Sequence, residues 1–167
     1  MSDRRDSSTD PRHIQRRHLS RLDRLFVPGA PVMFLTLNVA GRRHVLATKP
    51  VAAILVAAWG RASTAYGWAV GQYVVMPDHV HFFASPAIDE AKPLSTFIGM
   101  WRRSTTRRIR EHVPGFLWQS EFFDHVLRNS RSYGEKLEYV RENPVRKGLV
   151  TSSEDWPYQG EIEDLRW

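Results

Sequence analysis

From about residue 30 onward, apolar positions fall into alternating strand-like runs and helix-like stripes. After Pro28, Gly29 and Pro31, the run Val32-Met33-Phe34-Leu35-Thr36-Leu37-Asn38-Val39 reads as a buried strand. Gly41-Arg42-Arg43 supplies a turn, and His44-Val45-Leu46 begins a short return strand. Pro50 stands in the first turn of a helix from Val51 to about Tyr66, whose broad apolar surface suits packing on a sheet. Trp68 to Met76 and His79 to Ala84 are two further strands, joined into a hairpin by Pro77-Asp78. A second helix runs from Pro93 to about His112, with Leu94, Phe97, Ile98, Trp101 and Thr105 forming its stripe. Phe122 to Arg128 makes a fourth strand, and Arg131 to Asn143 a third helix that stops before Pro144.

This order predicts an α+β sandwich of the ferredoxin- or RRM-like kind. It has a mainly antiparallel sheet of four to five strands, with helices on one face. The other face is left for a flat ligand. One domain over residues 28–158 accounts for the pattern, with a short tail at 159–167. Residues 1–27 differ in kind, carrying seven arginines and four aspartates. They read as a mobile basic arm or as a helix from about Pro11 to Phe26.

Composition narrows the classes. The 42% hydrophobic content is enough for a core at 167 residues, and 25% charged residues argue against wholesale disorder. A net charge of +6 favours a polyanionic partner, nucleic acid first and an anionic membrane second. The absence of cysteine excludes disulfides, thiolate catalysis and cysteine-based zinc sites. The longest apolar run, Val51 to Trp59, is far short of the ~20 residues a membrane helix needs. A cytoplasmic protein, nucleoid-associated when bound to DNA, is expected.

The most informative segment is Met76-Pro77-Asp78-His79-Val80-His81-Phe82. In a strand, residues i and i+2 face the same way, so His79 and His81 project side by side. Two neutral imidazoles at that spacing can bind one divalent metal. Polar alternation on a wet strand face would produce the same letters. The apolar runs on both sides of this pair leave no need for a solvated face.

Tyr139 and Asn143 are four apart on the third helix and share a face, one turn from each other. Tyr133, Leu137 and Val140 form that helix's packing stripe, which puts Tyr139 at its edge. An ordinary boundary tyrosine, with Asn143 ending the helix, fits this spacing as well. Tyr133 is the competing nucleophile, but it fits the core stripe better.

The histidine segment resembles the histidine–hydrophobe–histidine motif of single-tyrosine HUH transposases. Leu117-Trp118-Gln119, Phe123-Asp124-His125-Val126-Leu127-Arg128 and Tyr139 through Val150 are similar to the REP-associated tyrosine transposases. The likeness covers roughly residues 30–158 and is loose around residues 36–49. It implies that His79 and His81 hold a divalent ion, Mg2+ or Mn2+, with Asn143 at the position completing the site. It further implies that Tyr139 attacks a DNA phosphodiester, giving a 5′-phosphotyrosyl enzyme and a free 3′-hydroxyl. Because the bond energy is stored covalently, no ATP is needed, and the chain has no GxxxxGK[ST] loop.

Single-stranded or hairpin DNA is the expected partner, bound by a monomer or homodimer. Arg102, Arg103 and Arg107 on the second helix would meet phosphates. Trp118 would serve as a stacking platform or as core, and His125 would lie near the DNA or the site. The main reading is a single-strand endonuclease and strand-transferase acting at repetitive palindromic DNA. The alternative is a nonenzymatic hairpin-binding regulator. A small-substrate metallohydrolase is disfavoured by the arginine-rich surface.

Overall fold

The computed structural model describes residues 30–165. The basic arm expected over residues 1–27 lies outside them. Five strands form one antiparallel sheet in the order β4-β1-β3-β2-β5: β1 (Val32–Val39), β2 (Trp68–Val75), β3 (His79–Pro86), β4 (Trp118–Leu127) and β5 (Gln159–Glu161). The helices are α1 (Lys49–Trp59), α2 (Ala62–Tyr66), α3 (Leu94–Ile109), α4 (Ser130–Arg141) and α5 (Asn143–Arg146). This is the α+β sandwich expected from the element order.

Helices α1, α2 and α3 pack on one sheet face. There Leu35, Leu37, Val80, Phe82 and Val70 meet Leu55, Trp59, Phe97 and Trp101. Trp59 and Trp101 stack with centroids 5.5 Å apart at the centre of this layer. The opposite face carries both histidines, and part of it is covered by α4 and the C-terminal segment. Val140, Tyr133 and Leu137 of α4 pack there with Phe83, Val74, Trp156 and Leu165. Gly71 makes room for that segment, because a Cβ on it would come within 2.7 Å of the Leu165 side chain.

Five local expectations are corrected. Residues 44–46 form no strand; the Val45 and Leu46 N–H groups instead donate to Pro77 O at 2.8 and 2.9 Å. The first helix breaks at Gly60, so α1 and α2 are separate. β4 begins at Trp118, four residues before the expected Phe122. Pro144 does not stop the chain's helical path, because it sits in the first turn of α5, where its missing N–H costs no hydrogen bond. The stretch expected as a tail contributes β5, an edge strand on β2.

The hairpin carrying the histidines is held from several sides. Val39 N–H donates to Asp78 O at 2.9 Å, and Met76 N–H to His79 O at 2.8 Å. Together with the two bonds to Pro77 O, these fix the Pro77-Asp78 turn against β1 and the loop after it.

Candidate active site

β3 presents His79 and His81 on one face, as strand alternation requires, and both are buried. Their Nε2 atoms are 3.1 Å apart, with ring planes at 79°. Each Nδ1 is anchored from behind. His79 Nδ1 meets Asp78 Oδ1 at 2.6 Å, and His81 Nδ1 meets Thr36 Oγ1 at 2.8 Å. A carboxylate only accepts, so the His79 proton sits on Nδ1 and its Nε2 keeps a lone pair. The Asn143 amide nitrogen, a donor, lies 2.9 Å from His81 Nε2, which assigns the same tautomer to His81. Two lone pairs therefore converge on one point.

Burial pushes the His79 imidazole below its usual pKa, against the opposing pull of Asp78. For His81 the same cause, aided by His79 and the cations Lys136, Arg42 and Arg146, brings it down to about 3. The short Asp78–His79 contact has the length of an ion pair. Burial nevertheless keeps the imidazole neutral, so it is a carboxylate–imidazole hydrogen bond. Asp78 itself is held below the usual carboxylate range: burial opposes this, but the hydrogen bond from His79 and the nearby Arg42 charge outweigh it.

Arg42 Nε pairs with Asp78 Oδ2 at 2.8 Å, and the same guanidinium bonds Asn38. It reaches Asp78 from a 3-10 turn in which Gly41 and Arg42 both have positive φ, 66° and 54°. For arginine that conformation costs about 1–2 kcal/mol, offset by the ion pair and the Asn38 bond.

Asn129 caps α4, its side chain accepting from Ser132 N–H at 2.8 Å. α4 ends at Arg141, Glu142 keeps right-handed helical angles, and α5 begins at the next residue. Tyr139 and Asn143 thus remain one turn apart. Tyr139 is 56% exposed, whereas Asn143 is buried. A closed circuit of contacts joins them to the histidines. His81 stacks on Phe34 at 5.4 Å, and Lys136 Nζ lies 5.2 Å from the Phe34 ring and 5.4 Å from Tyr139. Arg146 lies 3.9 Å from the Tyr139 ring centre and donates to Asn143 Oδ1 at 2.8 Å. Tyr133 is half-buried, edge-on to Phe83 at 4.9 Å, and burial raises its phenol pKa.

The donor set fits a divalent cation at the histidines. Two deprotonated Nε2 atoms converge and both Nδ1 atoms are oriented by acceptors, the arrangement that aligns metal-ligating imidazoles. Asn143 fits as a third ligand once its amide turns to present Oδ1, which now accepts from Arg146. Among the described residues no cluster of three His, Cys, Asp or Glu offers a competing site.

The expected DNA-contacting residues separate. Trp118 is buried; its indole donates to Thr105 Oγ1 at 3.0 Å, and its ring packs on Trp101 and Phe116. It is a core residue. Arg102 donates to Gln119 O and Ser120 O at 2.7 and 2.5 Å, fastening α3 to β4. Arg103 and Arg107 line an open groove of about 550 Å3 between α3 and β4, with Arg110 and Leu117. His125 is exposed and pairs across the sheet with Phe34, on the histidine face.

Sequence reasoning missed Thr36, Asp78, Lys136, Arg146 and Phe123. Phe123 is 48% exposed and forms one cross-strand row with Thr36 and His81. Asp78, Phe123 and Arg146 stood in the quoted segments without a role assigned to them. Thr36 and Lys136 carried no local signal, because their partners lie on other elements.

Residues 33–143 match the family model of IS200-like transposases. The chain is 28% identical over 143 residues to a REP-associated tyrosine transposase of Escherichia coli (strain K12), covering 84% of this chain and 81% of that protein. A putative REP-associated tyrosine transposase of Haemophilus influenzae is 26% identical over 104 residues, 55% of this chain and 58% of that one. In structure, the chain resembles a REP-associated tyrosine transposase bound to a REP hairpin. The TM-score is 0.67 at 23% identity, over 84% of this chain and 92% of that one. A putative transposase from Deinococcus radiodurans matches with TM-score 0.52 at 20% identity, over 71% and 94%.

Proposed function

The chain belongs to the IS200-like transposase family, and from that premise we propose that it cuts and rejoins single-stranded DNA beside hairpins, with Tyr139 as nucleophile. The observation that carries this reading is the convergence of His79, His81 and Asn143 within hydrogen-bond distance, one helical turn from an exposed tyrosine. His79, His81 and Asn143 would hold a divalent ion, Mg2+ or Mn2+. When bound, that ion polarises the scissile phosphate and stabilises charge developing on it.

The remaining work falls to side chains. The Tyr139 phenol oxygen forms a bond to phosphorus as the P–O3′ bond breaks. The departing 3′-oxygen leaves as a hydroxyl, its proton replacing the one lost by the phenol. The product is a 5′-phosphotyrosine, and attack by another 3′-hydroxyl reverses the step with a new partner. Asp78 and Thr36 orient the imidazoles through Nδ1. Phe123 and His125 offer the exposed ring surface that an unpaired base can stack on. Arg103 and Arg107, in the α3–β4 groove at the sheet edge, offer cations to phosphates.

The DNA reading draws on the relative that binds a REP hairpin. It is tested with a labelled hairpin carrying single-stranded flanks, incubated with Mn2+ or with a chelator. Cleavage only with metal, alongside binding in both, is the expected result. Equal binding in both and cleavage in neither would instead favour the nonenzymatic regulator.

A further inference from the structure

We propose that Arg146 is the positioning residue for the nucleophile, fixing the Tyr139 ring and the orientation of the Asn143 amide at once. This rests on the reading of Tyr139 as nucleophile, and adds to it a residue to which that reading gives no task.

One guanidinium makes three contacts. Its Cζ lies 3.9 Å from the centre of the Tyr139 ring, and its NH2 group donates to Tyr139 O at 2.7 Å. The same nitrogen donates to Asn143 Oδ1 at 2.8 Å. An exposed tyrosine on a helix surface ordinarily samples several rotamers, and a nucleophile that wanders loses rate steeply. The flat face of Arg146 restricts that ring, while its bond to the Tyr139 carbonyl ties the guanidinium to the same residue. α5 makes this possible: Arg146 is its last residue, its own N–H donating to Glu142 O at 3.0 Å.

The Asn143 bond has a separate consequence. With Oδ1 taken by Arg146, the amide presents its nitrogen to His81 Nε2. The oxygen can face the histidines only when Arg146 releases it. Release frees a cationic N–H beside the tyrosine. Among the described residues Arg146 has no carboxylate partner that would neutralise it. Lysine could supply the charge but not the planar face and fork that make these contacts together.

The test compares wild type with Arg146→Lys and Arg146→Gln, and uses Arg141→Gln as the charge control. Arg141 contacts Gln72 and lies outside the site. The protein carries 3-fluorotyrosine, with the residue 139 signal assigned through Tyr139→Phe. Without DNA or metal, the fluorine resonance of Tyr139 should move and narrow toward that of a free side chain in both Arg146 variants, and stay in place in Arg141→Gln. At saturating hairpin DNA with Mn2+, the single-turnover rate of covalent adduct formation should fall roughly 100-fold in Arg146→Lys. DNA affinity measured with chelator should stay within about threefold, the scatter expected for one exposed contact. An unmoved resonance in both Arg146 variants overturns the proposal. So does a rate loss matched by an equal loss of DNA affinity, which would make Arg146 a phosphate contact. If wild type forms no adduct at all, the nucleophile reading fails while the fluorine signal still decides the clamp.

Discussion

The Asn143 amide nitrogen lies 2.9 Å from His81 Nε2, joining the start of α5 to the middle of the sheet across 62 positions of sequence. The contact is buried, so neither partner has water to fall back on. Replacing Asn143 with Ala should weaken Mn2+ binding by about 10–100-fold, and Asp78→Asn should do the same by loosening His79 from behind. Isothermal titration of the purified variants checks both. Unchanged affinity in Asn143→Ala would remove it from the ligand set.

Acid should destabilise the metal-free protein earlier than its carboxylates alone would require. His81 is neutral in the fold down to about 3, whereas in the unfolded chain it protonates near the usual ~6.5. The unfolded state therefore binds the extra proton in that window, and the stability held above ~6.5 is lost progressively as pH falls toward 3. His79 is shifted in the same direction and adds to the effect. Denaturant unfolding with chelator should lose on the order of 2 kcal/mol between pH 7.5 and pH 5, with a flatter profile in His81→Gln. A flat wild-type profile would contradict the burial of these imidazoles.

Trp118 and Phe123 are five residues apart on β4 and should behave oppositely. Trp118→Ala opens a cavity among Trp101 and Phe116 and should cost about 3–5 kcal/mol of stability. Phe123→Ala should leave thermal stability nearly unchanged and weaken single-stranded DNA binding by about 1–3 kcal/mol. Melting curves and fluorescence anisotropy separate the two. Equal stability losses would put both residues in the core.

Most of the architecture was legible because it follows from periodicity. Strands β1, β2 and β3 are near-continuous apolar runs, and α3 carries a clean stripe, so their boundaries fall within a few residues of expectation. That His79 and His81 share a face was readable from alternation, and the Tyr139–Asn143 spacing from helical geometry; their joint role came only with the family resemblance. Other features depended on partners far along the chain. Val45 and Leu46 have strand-like side chains, yet their N–H groups meet Pro77 O rather than a neighbouring strand. Trp118 carries the ring of a stacking residue, but its place beside Trp101 and Thr105 depends on how α3 lies on the sheet. Arg102 carries charge like its neighbours, but only the start of β4 decides that its guanidinium is occupied by Gln119 and Ser120 carbonyls. Asn143-Pro144 reads as a stop because proline disfavours helix before it; here Glu142 keeps helical angles and the path continues.

The arginine groove makes a salt-dependent claim. Each arginine that neutralises a phosphate steepens the dependence of DNA affinity on salt by about 0.7–0.9 in the log–log slope. Arg103→Gln with Arg107→Gln should reduce the slope by roughly 1.4 to 1.8, while leaving the adduct rate at saturating DNA unchanged. An unchanged slope would show that the groove takes no phosphate.

The central claim is that Tyr139 is the nucleophile. Wild type, Tyr139→Phe and Tyr133→Phe should be incubated with end-labelled hairpin DNA and Mn2+ and run on a denaturing gel. The expected result is a protein–DNA adduct in wild type and Tyr133→Phe, absent in Tyr139→Phe, with the label retained only when it lies 3′ of the cut. An adduct that survives Tyr139→Phe and disappears in Tyr133→Phe would contradict the account outright.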